Sequence, residues 1–280
     1  MLKKLSILFV FVSCALTANA QIKTPQPSPT SKIEQVVGLT DVTVEYSRPG
    51  MRGRTIFGDL VPYGQVWRTG ANANTKITFS DNVTVDGKEL KKGTYAIYTI
   101  PGEKSWEVIF YSDSNNWGTP QKWDESKVAA KTTVEVLQMP MKVETFTITF
   151  DDLATGSAVL GMLWENVYAG VKFDVPTDAI TTKSIETVMA GPSSNDYFQA
   201  ATYYHTEGKD LKQALSWMQK ATAGENPPFW YLRRMSLIQA DLGDKKGAIA
   251  TAQKSLAAAE KANNADYIKM NKESIAQWQK

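Results

Sequence analysis

Val83-Thr84-Val85-Asp86-Gly87-Lys88-Glu89-Leu90 is the stretch that decides the fold class. Two short runs flank Asp86-Gly87, a dipeptide that tolerates positive φ at both centres of a two-residue hairpin turn. The same alternation extends outward in both directions. Val42/Val44/Tyr46 and Ile77/Phe79 lie before the hairpin, and Trp106/Val108/Phe110 and Phe146/Ile148/Phe150 after it, each apolar residue separated from the next by one position. Period two places them on one face of a strand. Lys91-Lys92-Gly93 and Pro101-Gly102 bracket a strand over Thr94–Ile100, and Ala158–Trp164 with Tyr168–Val175 reads as a later pair. About nine strands with short turns and no helical period between them predict an antiparallel β-sandwich or jelly-roll-like domain over residues 32–176.

After Pro176 the pattern changes. Residues 177–195 read as a linker, and 196–280 are rich in Ala, Gln, Lys and Leu at helical spacing, as in Ala214, Leu215 and Met218. An offset of 34 residues pairs Tyr197 with Tyr231, Asp210 with Asp244 and Ala214 with Ala248. That is the period of tetratricopeptide helix pairs. The sequence therefore predicts a small all-α, tetratricopeptide-like segment of two units with Asp266–Gln279 as a capping helix, which either contacts a protein partner or packs on the sandwich.

The N-terminus places Lys3-Lys4 before an apolar stretch from Leu5 to Leu16 and ends in Ala18-Asn19-Ala20, the order of a cleavable secretory signal over residues 1–20. The apolar stretch is shorter than the roughly 20 residues a spanning helix needs, so no transmembrane segment is expected after cleavage. The expected location is the periplasm or the medium. Lipidation at Cys14 is the minor alternative, since Phe11-Val12-Ser13 precedes it poorly. Residues 21–31, with Pro25, Pro27 and Pro29, read as an extended tether.

Cys14 is the sole cysteine and His205 the sole histidine, so disulfides, thiolate metal sites and Ser-His catalysis in the β domain lack the residues they need. Neither a metal nor another cofactor is expected. The formal charge of +2 falls to zero when Lys3 and Lys4 leave with the signal, so nucleic acid is not an expected partner.

Six of the 31 basic residues are arginine, and four of those six, Arg48, Arg52, Arg54 and Arg68, fall within 21 positions. Lysine supplies charge equally well; arginine adds a planar fork that grips a carboxylate or phosphate at two points or bonds carbonyls around an irregular loop. In the bland version of this reading the arginines pin a Gly- and Pro-rich loop, with Glu45 or Asp59 as partners. In the other, Arg48, Arg54, Arg68, Asn72, Trp67 and Trp117 bind an anionic or carbohydrate ligand. Trp117 and Trp123 are the tryptophans best placed to stack on a sugar ring.

The stretches Tyr46-Ser47-Arg48-Pro49, Arg52-Gly53-Arg54-Thr55-Ile56-Phe57-Gly58, Leu60-Val61-Pro62-Tyr63-Gly64 and Trp67-Arg68-Thr69-Gly70-Ala71-Asn72 resemble the bacterial DUF2911 family. The likeness continues through Gly93-Thr94-Tyr95, Thr99-Ile100-Pro101 and Asn116-Trp117-Gly118 and spans roughly residues 27–176. The resemblance implies no activity, because the family has none established. The expectation is a non-enzymatic binding or interaction module of the cell envelope. The alternative is a carbohydrate- or cell-wall-active hydrolase with arginine clamps and a carboxylate pair, for which Glu45, Asp59, Glu107 and Asp113 are the candidates.

Overall fold

The structure, a computed structural model, describes residues 24–189 and 191–280. The signal sequence, Cys14 and the first three tether residues lie outside the described residues. One unit of the chain runs to Asp174 and a second from Val175 to Lys280.

The first unit is a nine-stranded antiparallel sheet: β1 (Thr30–Val37), β2 (Thr40–Ser47), β3 (Thr75–Phe79), β4 (Val83–Val85), β5 (Lys88–Leu90), β6 (Gly93–Pro101), β7 (Ser105–Tyr111), β8 (Val128–Asp151) and β9 (Ser157–Asp174). Their order across the ladder is β1-β2-β3-β6-β7-β8-β9-β4-β5. The β4–β5 turn has φ of 49° at Asp86 and 73° at Gly87, the left-handed pair a two-residue hairpin of this twist requires. Strand β8 is 24 residues long, and its two ends have different neighbours. Val128–Glu135 pairs with β7, whereas Val136–Asp151 pairs with β9. The sheet thereby covers its own apolar face: Tyr46 of β2 meets Phe146 of β8 with centroids 5.8 Å apart, and Phe79 of β3 meets Phe173 of β9 at 5.6 Å.

The expected strand pair Ala158–Trp164 and Tyr168–Val175 is one strand, β9. Glu165-Asn166 does not turn the chain; Glu165 sits at φ 56° opposite a bulge in β8. Between Gln138↔Val167 and Thr147↔Leu163, β8 advances nine residues while β9 advances four, so β8 swells outward around Pro140.

Among the described residues the second unit contains six helices: α1 (Thr177–Val188), α2 (Ser194–Thr206), α3 (Leu211–Ala221), α4 (Phe229–Asp241), α5 (Lys245–Lys261) and α6 (Ala265–Trp278). The stretch expected as a linker is thus largely α1. Its start at Pro176 suits proline's fixed φ, and the Asp178 carboxylate accepts hydrogen bonds from Tyr203 and Lys209, which ties α1 to α2. These two donors also hold the Asp178 carboxyl below its ordinary range, Lys209 more than Tyr203. Asp210 and Asp244, 34 residues apart, cap α3 and α5 through their side chains. Ala214 and Ala248, related by the same offset, are fully buried, and small side chains there let helices approach closely. His205 joins α2 to α4: Arg234 donates to its Nδ1 at 2.9 Å, and its Nε2 lies 2.8 Å from Asp241.

Candidate functional site

The segment between β2 and β3, residues 48–74, carries the arginines, and the bulge of β8 receives it. Met51 N donates to Glu144 O at 2.7 Å and Phe146 N to Pro49 O at 2.9 Å, so the loop pairs with β8 where β8 has left its ladder with β9. Further along, Trp67 and Thr99 of β6 exchange backbone bonds of 2.7 and 3.0 Å. Beneath the loop, Trp67 lies 5.9 Å from Trp164 in a stacked pair, 6.1 Å from Trp106 and 5.2 Å from Phe146. Aromatic pairs of this kind contribute about 0.5–1.5 kcal/mol each beyond area burial.

The loop is also strained. Arg52, Thr69 and Asn72 have φ of 51°, 55° and 60°. Thr69 is β-branched and fully buried, which makes its left-handed backbone costly, about 1–3 kcal/mol.

Each guanidinium is held by backbone oxygen. Arg54 donates Nε to Met51 O at 2.9 Å and Nη2 to Gly50 O at 2.7 Å; Arg68 donates Nη1 to Asn72 O at 2.7 Å; Arg52 donates Nη2 to Pro27 O at 2.6 Å. Arg48 donates to Phe146 O at 3.1 Å and Thr147 Oγ1 at 2.8 Å. Carbonyls, not Glu45 or Asp59, are therefore the partners. A carbonyl fixes a guanidinium without cancelling its charge, and five N–H donors leave most of each fork uncommitted.

Arg52, Arg54 and Arg68 line one hollow of about 430 Å³ together with Trp67, Trp164, Leu60 and Asn72; among the described residues no carboxylate is in the lining. Four of the six expected site residues, Arg54, Arg68, Asn72 and Trp67, meet there. Arg48 does not. It is committed to β8.

Asn72 also lines a second hollow, of about 380 Å³, which holds Trp117, Glu45 and Lys76. Trp117 is 80 % exposed, yet its loop is fixed: Asn116 N donates to Asn74 Oδ1 at 2.8 Å, Asn74 N returns a bond to Asn116 O at 3.1 Å, and Tyr98 donates to Gly118 O at 3.1 Å. Burial pushes the Tyr98 phenol up to about 12. Trp123, expected as a second stacking surface, instead packs 4.6 Å from Tyr111 and 5.6 Å from Tyr98 and donates to Glu125.

The end of the tether belongs to this site as well. Pro27, Ser28 and Pro29 present three consecutive carbonyls to Arg52 Nη2, Asn72 Nδ2 and Arg48 N. Pro27 and Pro29 have no N–H of their own, so a carbonyl is the only backbone group each offers.

Glu144 and Glu165, absent from the sequence reading, approach the loop from the β8–β9 side and share a hollow of about 340 Å³ with Arg54 and Lys142. Each spends an oxygen on the loop backbone: Arg52 N donates to Glu144 Oε1 at 2.8 Å and Ile56 N to Glu165 Oε2 at 3.3 Å. Of the four acids expected as candidates, Glu107 pairs with Lys131 at 3.1 Å and Asp113 with Lys127 at 2.8 Å. Only Glu45 lines a hollow described above.

Residues 28–173 match the model of a family described as protein of unknown function, DUF2911. No curated protein and no solved structure matches.

Proposed function

The chain belongs to the DUF2911 family of proteins of unknown function, and from that premise we propose that its β domain is a binding module for an anionic ligand, held in the hollow of Arg52, Arg54 and Arg68. One observation carries this: three guanidiniums, each positioned by carbonyl bonds, line a hollow with no carboxylate in it. Preorganised forks lose little entropy when an anion arrives, and exposed Leu60 beside half-buried Trp67 suits a ligand with an apolar face. The helical unit is proposed as the partner-binding part. Its tetratricopeptide-like character is supported by the 34-residue offset that relates the caps Asp210 and Asp244 and the buried Ala214 and Ala248. Export rests on Lys3-Lys4, Leu5–Leu16 and Ala18-Asn19-Ala20, and N-terminal sequencing of secreted protein should begin at Gln21.

A thermal-shift titration with galacturonate, inorganic phosphate and neutral galactose tests the module. An anion at one hundred times its Kd stabilises the folded chain by about 2.7 kcal/mol. Shifts with the anions but not galactose, reduced in Arg68→Ala, are expected. Equal shifts from sodium chloride at matched ionic strength would count against a site.

The hydrolase alternative draws on Glu144 and Glu165 beside Arg54. Turnover of a glycan abolished by Glu165→Gln would favour it.

A further inference from the structure

Resting on the anion-binding reading, we infer that the ligand is an acidic oligosaccharide spanning both hollows, with its acid group at Arg54 and Arg68 and a neighbouring ring stacked on Trp117. The hollows meet at Asn72, which lines both. A Cβ on Gly118 would lie 2.8 Å from the Arg68 guanidinium carbon, so Arg68, a residue of the first hollow, abuts the residue after Trp117.

The second hollow has the chemistry of a sugar subsite. An indole 80 % exposed stands among Gln26, Glu45, Asn72 and Lys76, whose amide, carboxylate and ammonium groups pair with hydroxyls as donors and acceptors. An exposed tryptophan side chain leaves a large apolar face in water. The Asn74–Asn116 bonds and the Tyr98 bond to Gly118 O fix the backbone on either side of Trp117, so the point from which the indole projects is held in place. Carboxylate and sulfate both match the arginine fork, so the acid group is assigned by class and its source is left to the titration.

The test is calorimetric titration of the full chain with galacturonate, a galacturonate oligomer, a sulfated galactose oligomer and a neutral galactose oligomer, each also with Trp117→Ala. Trp117 is largely exposed, so its replacement leaves the fold intact. The acidic oligomer should bind roughly tenfold tighter than the monomer, and Trp117→Ala should bring the oligomer down to the affinity of the monomer. Preference between the carboxylated and sulfated oligomers identifies the acid. Oligomer and monomer of equal affinity, both indifferent to Trp117→Ala, would overturn the oligosaccharide while leaving the anion site standing. Binding of the neutral oligomer as tightly as the acidic one, or binding of none of the four, would overturn the anion site and the oligosaccharide together.

Discussion

Gly118→Ala should destabilise the protein through Arg68, fifty residues away in sequence. At φ 94° an alanine is strained by about 1–2 kcal/mol relative to glycine. Its Cβ would stand 2.8 Å from Cζ and Nη1 of Arg68 and 3.0 Å from Nη2, well inside contact distance, so the guanidinium must move. Moving it breaks the 2.7 Å bond to Asn72 O, a charge-assisted bond whose loss costs about 1.5–3 kcal/mol. Alanine's smaller unfolded-state entropy returns about 0.4–1 kcal/mol. The net loss is about 2–4 kcal/mol by combination of these effects. Urea denaturation of the single variants and of the pair with Arg68→Ala isolates the coupling. In the Arg68→Ala background only backbone strain remains, so Gly118→Ala should then cost less than about 1.5 kcal/mol. Costs that add to within about 0.5 kcal/mol would refute the contact between Gly118 and Arg68.

Tyr98 gives a pH dependence. Its phenol is pushed up to about 12 by burial, from an ordinary value of 10.0, so the unfolded chain releases this proton first as pH rises. The stabilisation is complete below pH 10 and is lost as pH climbs towards about 12, with a slope of about 1.4 kcal/mol per pH unit for this group. Tyr98→Phe should flatten alkaline melting curves; an unchanged slope would assign it elsewhere. Glu144→Gln and Glu165→Gln weaken acceptors for Arg52 N and Ile56 N and should each cost about 1 kcal/mol in urea melts. Arg52→Ala removes the grip on Pro27 O, and amide exchange of Arg48 N–H, which donates to Pro29 O, should accelerate. Unaltered exchange would mean that the tether end is held without Arg52.

Much of the sheet is legible in the sequence because one face of each strand is buried and period two is unambiguous, as at Val42, Val44 and Tyr46. Glu165 misleads because a polar pair within an apolar run looks like a turn, whereas here it accompanies a bulge that only the partner strand reveals. Helix α1 is hidden because its apolar contribution is small, Ile185 packing on the helical core, and its polar ties run to Tyr203 and Lys209, distant in sequence. Clustered arginines disclose the loop, but not that carbonyls hold them or that Arg48 serves β8. Glu144 and Glu165 leave no local signal; they reach the loop only through the β8–β9 ladder. Nothing in residue type separates exposed Trp117 from packed Trp123, since the difference lies in Tyr98 and Tyr111 behind the latter.

With six arginines in the chain, Nε–H resonances can be followed one by one, and titration with galacturonate tests the binding site most directly. The signals of Arg52, Arg54 and Arg68 should move and saturate together, while those of Arg48, Arg233 and Arg234 stay in place. Six stationary signals, or six that drift in parallel as they do with sodium chloride, would contradict an anion site in this loop.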